Sequence, residues 1–462
     1  MLATLVRLIV LMLVASSASL AESQVLSRPA RPFGGLFGAG APPDPSRARH
    51  ELTLMVNLLG THGDPLEPYG TRPVAGVQAT YGGFVDTGLR YQRASPMRSA
   101  VRSVEAEGRA YGTWYSMLTQ PLWGGEVRAR ATTDLGRRSG LDASLRLRLD
   151  PFVSLGAFTP LQSEVDINDI PHANPTSGLS DSRAWASDAS ASFRHRLSPR
   201  NTISTGYSYT RRDLPADQGF DNTTQAANLS FDGSIGRTSG LSASYRYTWT
   251  GTFLDASDWI PLEQHSAEAG YRYSKRMSST RTLSLALGGG ATRAETVSAA
   301  TRTRREDWLP SGRGGVSLDL GRTWTVGADY RRALAVLYGV TADSYFTDAA
   351  SVSAGGLIGS RLDVTFFGAY ATGRAVLTEA SGGRYETHAF TGQVRYAMAR
   401  SCAAVANYSY YKHQFRAVTD LPEAFPPRLE RSTVQVGLAF WVPLHRTRAP
   451  RAGGGDRTHA AR

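Results

Sequence analysis

The chain has one cysteine, Cys402, in 462 residues, so no intrachain disulfide can form. Lysine is almost missing: Lys275 and Lys412 are the only two, and arginine carries the excess behind a formal net charge of +12. Long apolar runs are missing too. Beyond the N-terminus nothing approaches the ~18 apolar residues of a membrane-spanning helix, and mean hydropathy is −0.27. A helical membrane protein is excluded; a transmembrane barrel is not, because its polar inner face dilutes the average. There is no G-x-S-x-G and no H-E-x-x-H, and the nine histidines are scattered. His172, His265 and His413 fall in or beside long links, where a membrane-embedded hydrolase would carry its catalytic groups. With so many serines, a Ser–His–acid set assembles by chance, so neither an enzyme nor a catalytic residue is expected. Asp166, Asn168 and Asp169 suit Ca²⁺, but the glycine and distal glutamate of an EF-hand loop are missing, so no metal or cofactor is expected. The arginines are spread through alternating segments rather than gathered in a recognition motif, which argues against a nucleic-acid partner.

What the chain has in abundance is alternation. From residue 51 onward eighteen segments carry a period of two, and none carries a convincing helical period. In 240–250, Leu241, Ala243, Tyr245, Tyr247 and Trp249 oppose Ser242, Ser244, Arg246 and Thr248. In 140–152, Leu145, Leu147 and Leu149 oppose Ser144, Arg146, Arg148 and Asp150. The links between segments alternate long and short. Among the long ones are 60–82, 153–183 and 414–428; among the short ones are 137–140, 198–201 and 359–360. A soluble sandwich has no reason to gather every long link at one end, whereas a meandering barrel with short periplasmic turns and long outer loops does. The expected fold is all-β: a transmembrane antiparallel up-and-down β-barrel of about 18 strands, with both termini periplasmic. On that phase Tyr207, Tyr247, Trp249, Tyr370 and Tyr408 gather near the loop end, and Tyr271, Trp324, Tyr396 and Phe440 near the turn end, as two interfacial girdles.

The last segment, Arg431 to Leu444, alternates without interruption: Val434, Val436, Leu438, Phe440 and Val442 against Thr433, Gln435, Gly437, Ala439 and Trp441. The spacing of Gln435, Gly437, Phe440 and Val442 resembles the C-terminal assembly signal of bacterial outer-membrane barrels, except that a basic tail follows it here. Over 51–444 the hairpin pattern and this strand resemble the porin 2-like class of bacterial outer-membrane barrels, some of which accompany exopolysaccharide export systems. That resemblance implies an architecture and an envelope setting: outer-membrane lipid and lipopolysaccharide around the barrel, the barrel-assembly machinery as a partner, small hydrophilic solutes or polysaccharide as cargo, and the homotrimer common among porins.

Residues 1–21 read as a secretory signal, with Arg7, a short apolar core and a Ser19-Leu20-Ala21 cleavage site. Residues 22–50 are a Pro/Gly/Arg-rich linker, 51–444 the barrel and 445–462 a basic disordered tail.

One hairpin stands out. Pairing 125–136 with 140–152 through RRSG sets Glu126 against Asp150, Arg128 against Arg148, Arg130 against Arg146 and Asp134 against Asp142, all on the polar face. Like charges directly opposite are unfavourable unless neighbours neutralise them. The four arginines read either as a stiffening ion-pair ladder or as a pore-lining basic strip that attracts anions or hydrogen-bonds sugars. The longest link follows at once and carries Glu164, Asp166, Asp169 and Asp181. In general porins the third long loop commonly folds inward, and that resemblance makes these four the candidate acids of a constriction. Two functions stand on this: a porin-like channel for passive diffusion of small hydrophilic, anionic or sugar solutes, and an outer-membrane component of an exopolysaccharide export system.

Overall fold

The structure is a computed structural model. It describes residues 49–63, 80–94, 101–116, 121–154, 177–213, 221–253, 259–297, 303–321, 323–336, 344–377, 383–416, 418 and 427–448. Eighteen strands make up the described residues: Arg49–Gly63 (β1), Thr80–Ala94 (β2), Val101–Tyr115 (β3), Leu122–Asp134 (β4), Ser139–Ser154 (β5), Ser177–Arg196 (β6), Asn201–Asp213 (β7), Asp221–Ser234 (β8), Ser239–Phe253 (β9), Trp259–Ser278 (β10), Arg281–Val297 (β11), Arg304–Leu320 (β12), Trp324–Val336 (β13), Ser344–Ile358 (β14), Leu362–Val376 (β15), Arg384–Ala399 (β16), Cys402–Arg416 (β17) and Arg428–Arg448 (β18). Each pairs antiparallel with its sequence neighbours, and β18 pairs with β1, so the sheet closes into an up-and-down barrel. The expected fold class and strand number are those observed. Closure removes every sheet edge, which lipid cannot solvate.

The period of two assigns each residue to a face. One face exposes Leu89, Val127, Leu241, Leu287, Val352, Phe366, Val436 and Val442 as an almost continuous apolar surface. A band of that size is stable against lipid and not against water. The opposite face, the lumen, carries Asp86, Arg109, Asn228, Thr250, Arg395 and Gln435. The aromatics of both expected girdles sit on the outward parity; Tyr271 and Tyr396 are exposed on the turn-end side of their strands, whereas Tyr370 and Tyr408, also exposed, stand near mid-strand rather than at the loop end.

Boundaries differ from expectation at several strand ends, and three of these differences bear on the closing seam and the lumen wall. β1 begins at Arg49 and β18 continues to Arg448, with Arg49 facing Arg448 and Glu51 facing Arg446, so the first residues assigned to the tail extend the closing pair of strands. β6 begins at Ser177, which places Asp181 on a strand. The β4–β5 turn is Leu135–Arg138 rather than RRSG: the Leu135 N–H donates to the Ser139 carbonyl at 3.0 Å, and Gly136 takes φ +130°, a value that L side chains rarely adopt. The chain therefore reverses two residues earlier in the register sum, and every cross-strand pair of the hairpin shifts with it.

The seam explains one glycine. Gly437 faces Leu59, and a Cβ there would sit 1.9 Å from the Leu58 carbonyl oxygen and 2.8 Å from Leu59 Cα. Only glycine lets the two closing strands approach this closely. Of the other residues in the expected assembly signal, Gln435 is buried on the lumen face, while Phe440 and Val442 lie on the lipid face opposite Val56 and Leu54.

Candidate functional site: the lumen wall

On the lumen face of β4 and β5, the observed register sets Arg128 opposite Arg146, Glu126 opposite Arg148, Arg130 opposite Ser144 and Thr132 opposite Asp142. The expected Arg128–Arg148 and Arg130–Arg146 pairs do not form. The gain is neutralisation. Glu126 now lies between two arginines: it is ion-paired with Arg128, and Arg146 reaches it with Nε at 2.9 Å and Nη2 at 3.1 Å. Arg130 Nε donates to Asp142 Oδ2 at 3.0 Å, and the Thr132 hydroxyl donates to the same oxygen at 3.0 Å. All four predicted arginines thus share one face of one hairpin. Within the hairpin, Glu126 and Asp142 stand beside the four guanidinium groups, and the flanking strands set Glu107 opposite Arg128, Glu105 opposite Arg130 and Asp188 opposite Arg146, so the ladder continues into β3 and β6. Of the predicted loop acids, Glu164, Asp166 and Asp169 lie outside the described residues, and Asp181 is on β6 with its side chain outside them.

A second basic bank was not among the sequence expectations. Arg313 on β12 faces Arg331 on β13 directly. Arg313 Nε lies 3.7 Å from Glu268 on β10, and Arg246 on β9 feels the charges of Glu268, Arg313 and Arg331. The signal was present but indirect. Gly288 faces the lumen opposite Arg313, and a Cβ there would approach Arg313 Nε to 3.0 Å. A glycine-rich strand gives a long cation room to lie along the wall. Arg128, Arg146, Arg313 and Arg331 each stand six or seven residues from the turn-end terminus of their strands. β4 and β13 are nine strands apart in a closed sheet of eighteen, which is half the circumference. Two basic banks therefore occupy opposite walls at a similar depth.

The wall from β14 through β18 to β3 is different. Asn57 Nδ2 donates to Asp86 Oδ2 at 2.8 Å, Arg109 Nη2 stands 3.7 Å from the same oxygen, and Asp86 is fully buried. Arg90 holds Glu107 at 3.0 Å. Arg395 grips Asp363 through Nη2 at 2.6 Å and Nε at 3.1 Å, with side chains 7% and 2% exposed. Toward the loop end of the same wall, Tyr345, Ala371, Tyr385, Tyr411 and Phe415 form a buried cluster whose residues point to the lumen side. The Tyr345 and Tyr385 rings meet edge to face at 5.3 Å, and the Tyr385 hydroxyl bonds Thr347 at 2.8 Å.

Catalytic chemistry finds little support among the described residues. His413 is buried in the lumen wall, and His265 shares a 2.7 Å hydrogen bond with Tyr245 on the outward face. Ser139 Oγ and His195 Nδ1 are 2.8 Å apart, but at the turn end, with no carboxylate bonded to His195 among the described residues. No group of three or more His, Cys, Asp or Glu is placed to hold a metal ion among them.

Fold and wall together define a class: a closed transmembrane β-barrel of the outer-membrane type, with a charged lumen. No family model and no curated protein matches the chain. Solved structures do align loosely. Acinetobacter baumannii OccAB2 is 10% identical over 86% of this chain and 98% of its own, with a TM-score of 0.45. Pseudomonas aeruginosa OccK2 (OpdF), in complex with glucuronate, is 11% identical over 86% and 98%, at 0.43. Pseudomonas aeruginosa OpdK with vanillate is 10% identical over 85% and 98%, also at 0.43. The overlap is too loose for residues to be equated with residues.

Proposed function

We propose that this protein is an outer-membrane channel for passive diffusion of small hydrophilic anions, sugar acids among them. Its short turns and both strand termini face the periplasm, and a secretory signal at 1–21 delivers it there. The observation that carries this reading is the pair of basic banks, Arg128, Arg130, Arg146 and Arg148 on one wall and Arg313 and Arg331 on the other. An anion between them exchanges water for guanidinium donors at little net cost, because guanidinium groups face one another directly in each bank, Arg128 with Arg146 and Arg313 with Arg331. The link after β5 leaves from the first bank, and Glu164, Asp166 and Asp169 are the carboxylates this reading sets against it. Single-channel recording in a planar bilayer under a salt gradient tests the proposal. Stable steps with anion preference are expected, and replacing Arg128, Arg146, Arg313 and Arg331 by serine is expected to lower the anion-to-cation permeability ratio several-fold. Unchanged selectivity would remove the banks from the mechanism.

A second reading has one observation behind it. Asp86, Glu107, Arg109, Asp363 and Arg395, on the wall from β14 to β3, are buried rather than wetted, as suits a barrel whose opening depends on a partner in an exopolysaccharide export assembly. Silence from a folded, heat-modifiable barrel would favour it.

A further inference from the structure

The outward face at the loop end of β15–β18 carries three arginines that no carboxylate among the described residues ion-pairs; Glu386, two residues from Arg384 on the same face, bonds His388 at 3.2 Å. Arg374 faces Arg384, and Arg384 faces Arg416, so three guanidinium groups lie in one register row across three adjacent strands. Arg428, opposite Gln414, stands at the end of that row. All four are exposed. Among the described residues, Arg374, Arg384 and Arg416 have no ion pair with a carboxylate. Arg374 lies over the Phe346 ring at 5.7 Å, and Arg416 donates to Gln414 at 3.3 Å. Asp348 is within electrostatic range of Arg374, but Arg332 already holds both its oxygens, at 2.6 and 2.8 Å. Glu430 is shared by Lys412, Arg428 and the Tyr410 hydroxyl. Like charges directly opposite on neighbouring strands, about 5 Å apart, repel unless an anion lies over them.

A second feature lies below this row on the lipid side. Val316, Leu318, Val326, Val352, Phe366 and Phe390 line an apolar groove of about 340 Å³, floored by Gly368. Gly368 and Arg374 share a face of β15, six residues apart. That is about 20 Å along the strand and about 15 Å along the normal at ordinary barrel tilt. Between them stand Tyr370 and His388, with ring centroids 4.9 Å apart, a mixed aromatic and polar layer of the kind that marks a membrane interface. Cationic row, interfacial layer and apolar groove follow one another in the order of a phosphorylated lipid: headgroup phosphate, linkage, acyl chain.

We propose that Arg374, Arg384 and Arg416 bind the phosphate groups of a multi-acylated, phosphorylated glycolipid of the outer leaflet, with one acyl chain in the groove over Gly368. The site rests on the reading that the loop end faces outward. The guanidinium row engages phosphate oxygens in bidentate fashion, and the groove removes apolar chain surface from the general lipid pool. The row lies on the lipid face, separate from the lumen banks.

The test is native mass spectrometry of the refolded full chain in detergent with hexa-acyl lipid A, its phosphate-free form, phosphatidylglycerol and inorganic phosphate. Wild type is expected to retain phosphorylated lipid A. The triple variant Arg374→Ser, Arg384→Ser, Arg416→Ser is expected to retain about tenfold less or lower still. Gly368→Leu keeps every cation and narrows the groove, where a Cβ would already touch Val352 at 3.5 Å; it is expected to weaken retention of lipid A. Equal retention by wild type and the triple variant overturns the proposal. So does equal binding of phosphatidylglycerol, or displacement of lipid A by inorganic phosphate, which would mark a free-anion site. Heat-modifiability and unchanged single-channel conductance establish that the variants fold, and separate this outcome from failure of the channel reading. Labelling of Arg384→Cys, on a Cys402→Ser background, by an impermeant thiol reagent in whole cells reads the orientation. Absence of labelling would place the row in the other leaflet and sink the glycolipid assignment.

Discussion

The two halves of the lumen wall solve the problem of inward charge differently. From β14 to β3, charges are buried and matched: Asp363 with Arg395, Glu107 with Arg90 and Arg109, and Asp86 with Asn57 and Arg109. From β4 to β13, Arg128, Arg146 and Arg313 keep 23–33% of their side-chain surface in water, and guanidinium groups face one another, Arg128 against Arg146 beside Glu126 and Arg313 against Arg331 beside Glu268. A buried charge must be paired, because the interior offers nothing else to solvate it. A wetted charge need not be, because water and passing ions complete its shell. The matched half therefore stiffens the barrel, and the unmatched half is left to interact with what passes.

Breaking one pair in each half exposes the contrast. Asp363→Ala strands a buried guanidinium and is expected to cost about 3–5 kcal/mol in urea unfolding from vesicles. Replacing both partners, with Asp363→Leu and Arg395→Met, is expected to recover most of that loss; no recovery would mean that the pair does more than balance charge. Next in size comes the seam that holds both halves in one cylinder. Gly437→Val forces β18 off the Leu58 carbonyl and is expected to cost about 1–3 kcal/mol and to slow appearance of the heat-modifiable form. The smallest effect belongs to the open half. Arg130 is 64% exposed, so Asp142→Ala is expected to cost no more than about 1 kcal/mol. A loss as large as that at Asp363 would erase the distinction between the halves.

Much of the fold was legible because its signals are local. Alternation such as Leu241 to Trp249 against Ser242 to Thr248 fixes strand and face together, and link lengths fix the meander. What was not legible depends on relations that composition does not carry. The register of β4 and β5 turns on which of two nearby glycines reverses the chain; Gly136 does so and Gly140 pairs within the sheet. The four arginines were placed correctly on the lumen face, but their partners were not, since a shift in pairing changes every opposite residue while leaving the face unchanged. Arg313 and Arg331 stand on the inward parity of their strands. Their opposition, and their position half the circumference from the first bank, need the closed strand order.

The β1–β18 seam also sets a schedule. Arg49 meets Arg448, 399 positions later, while every other strand pair joins sequence neighbours. Hairpins can form as the chain arrives, each closing a short loop at small entropic cost. The seam alone must wait for the last strand, and until then both β1 and β18 present a full row of unpaired amides and carbonyls. Closure is thus the slow, high-contact-order event, and a catalyst that shelters these two edges would accelerate assembly without altering any contact of the finished barrel.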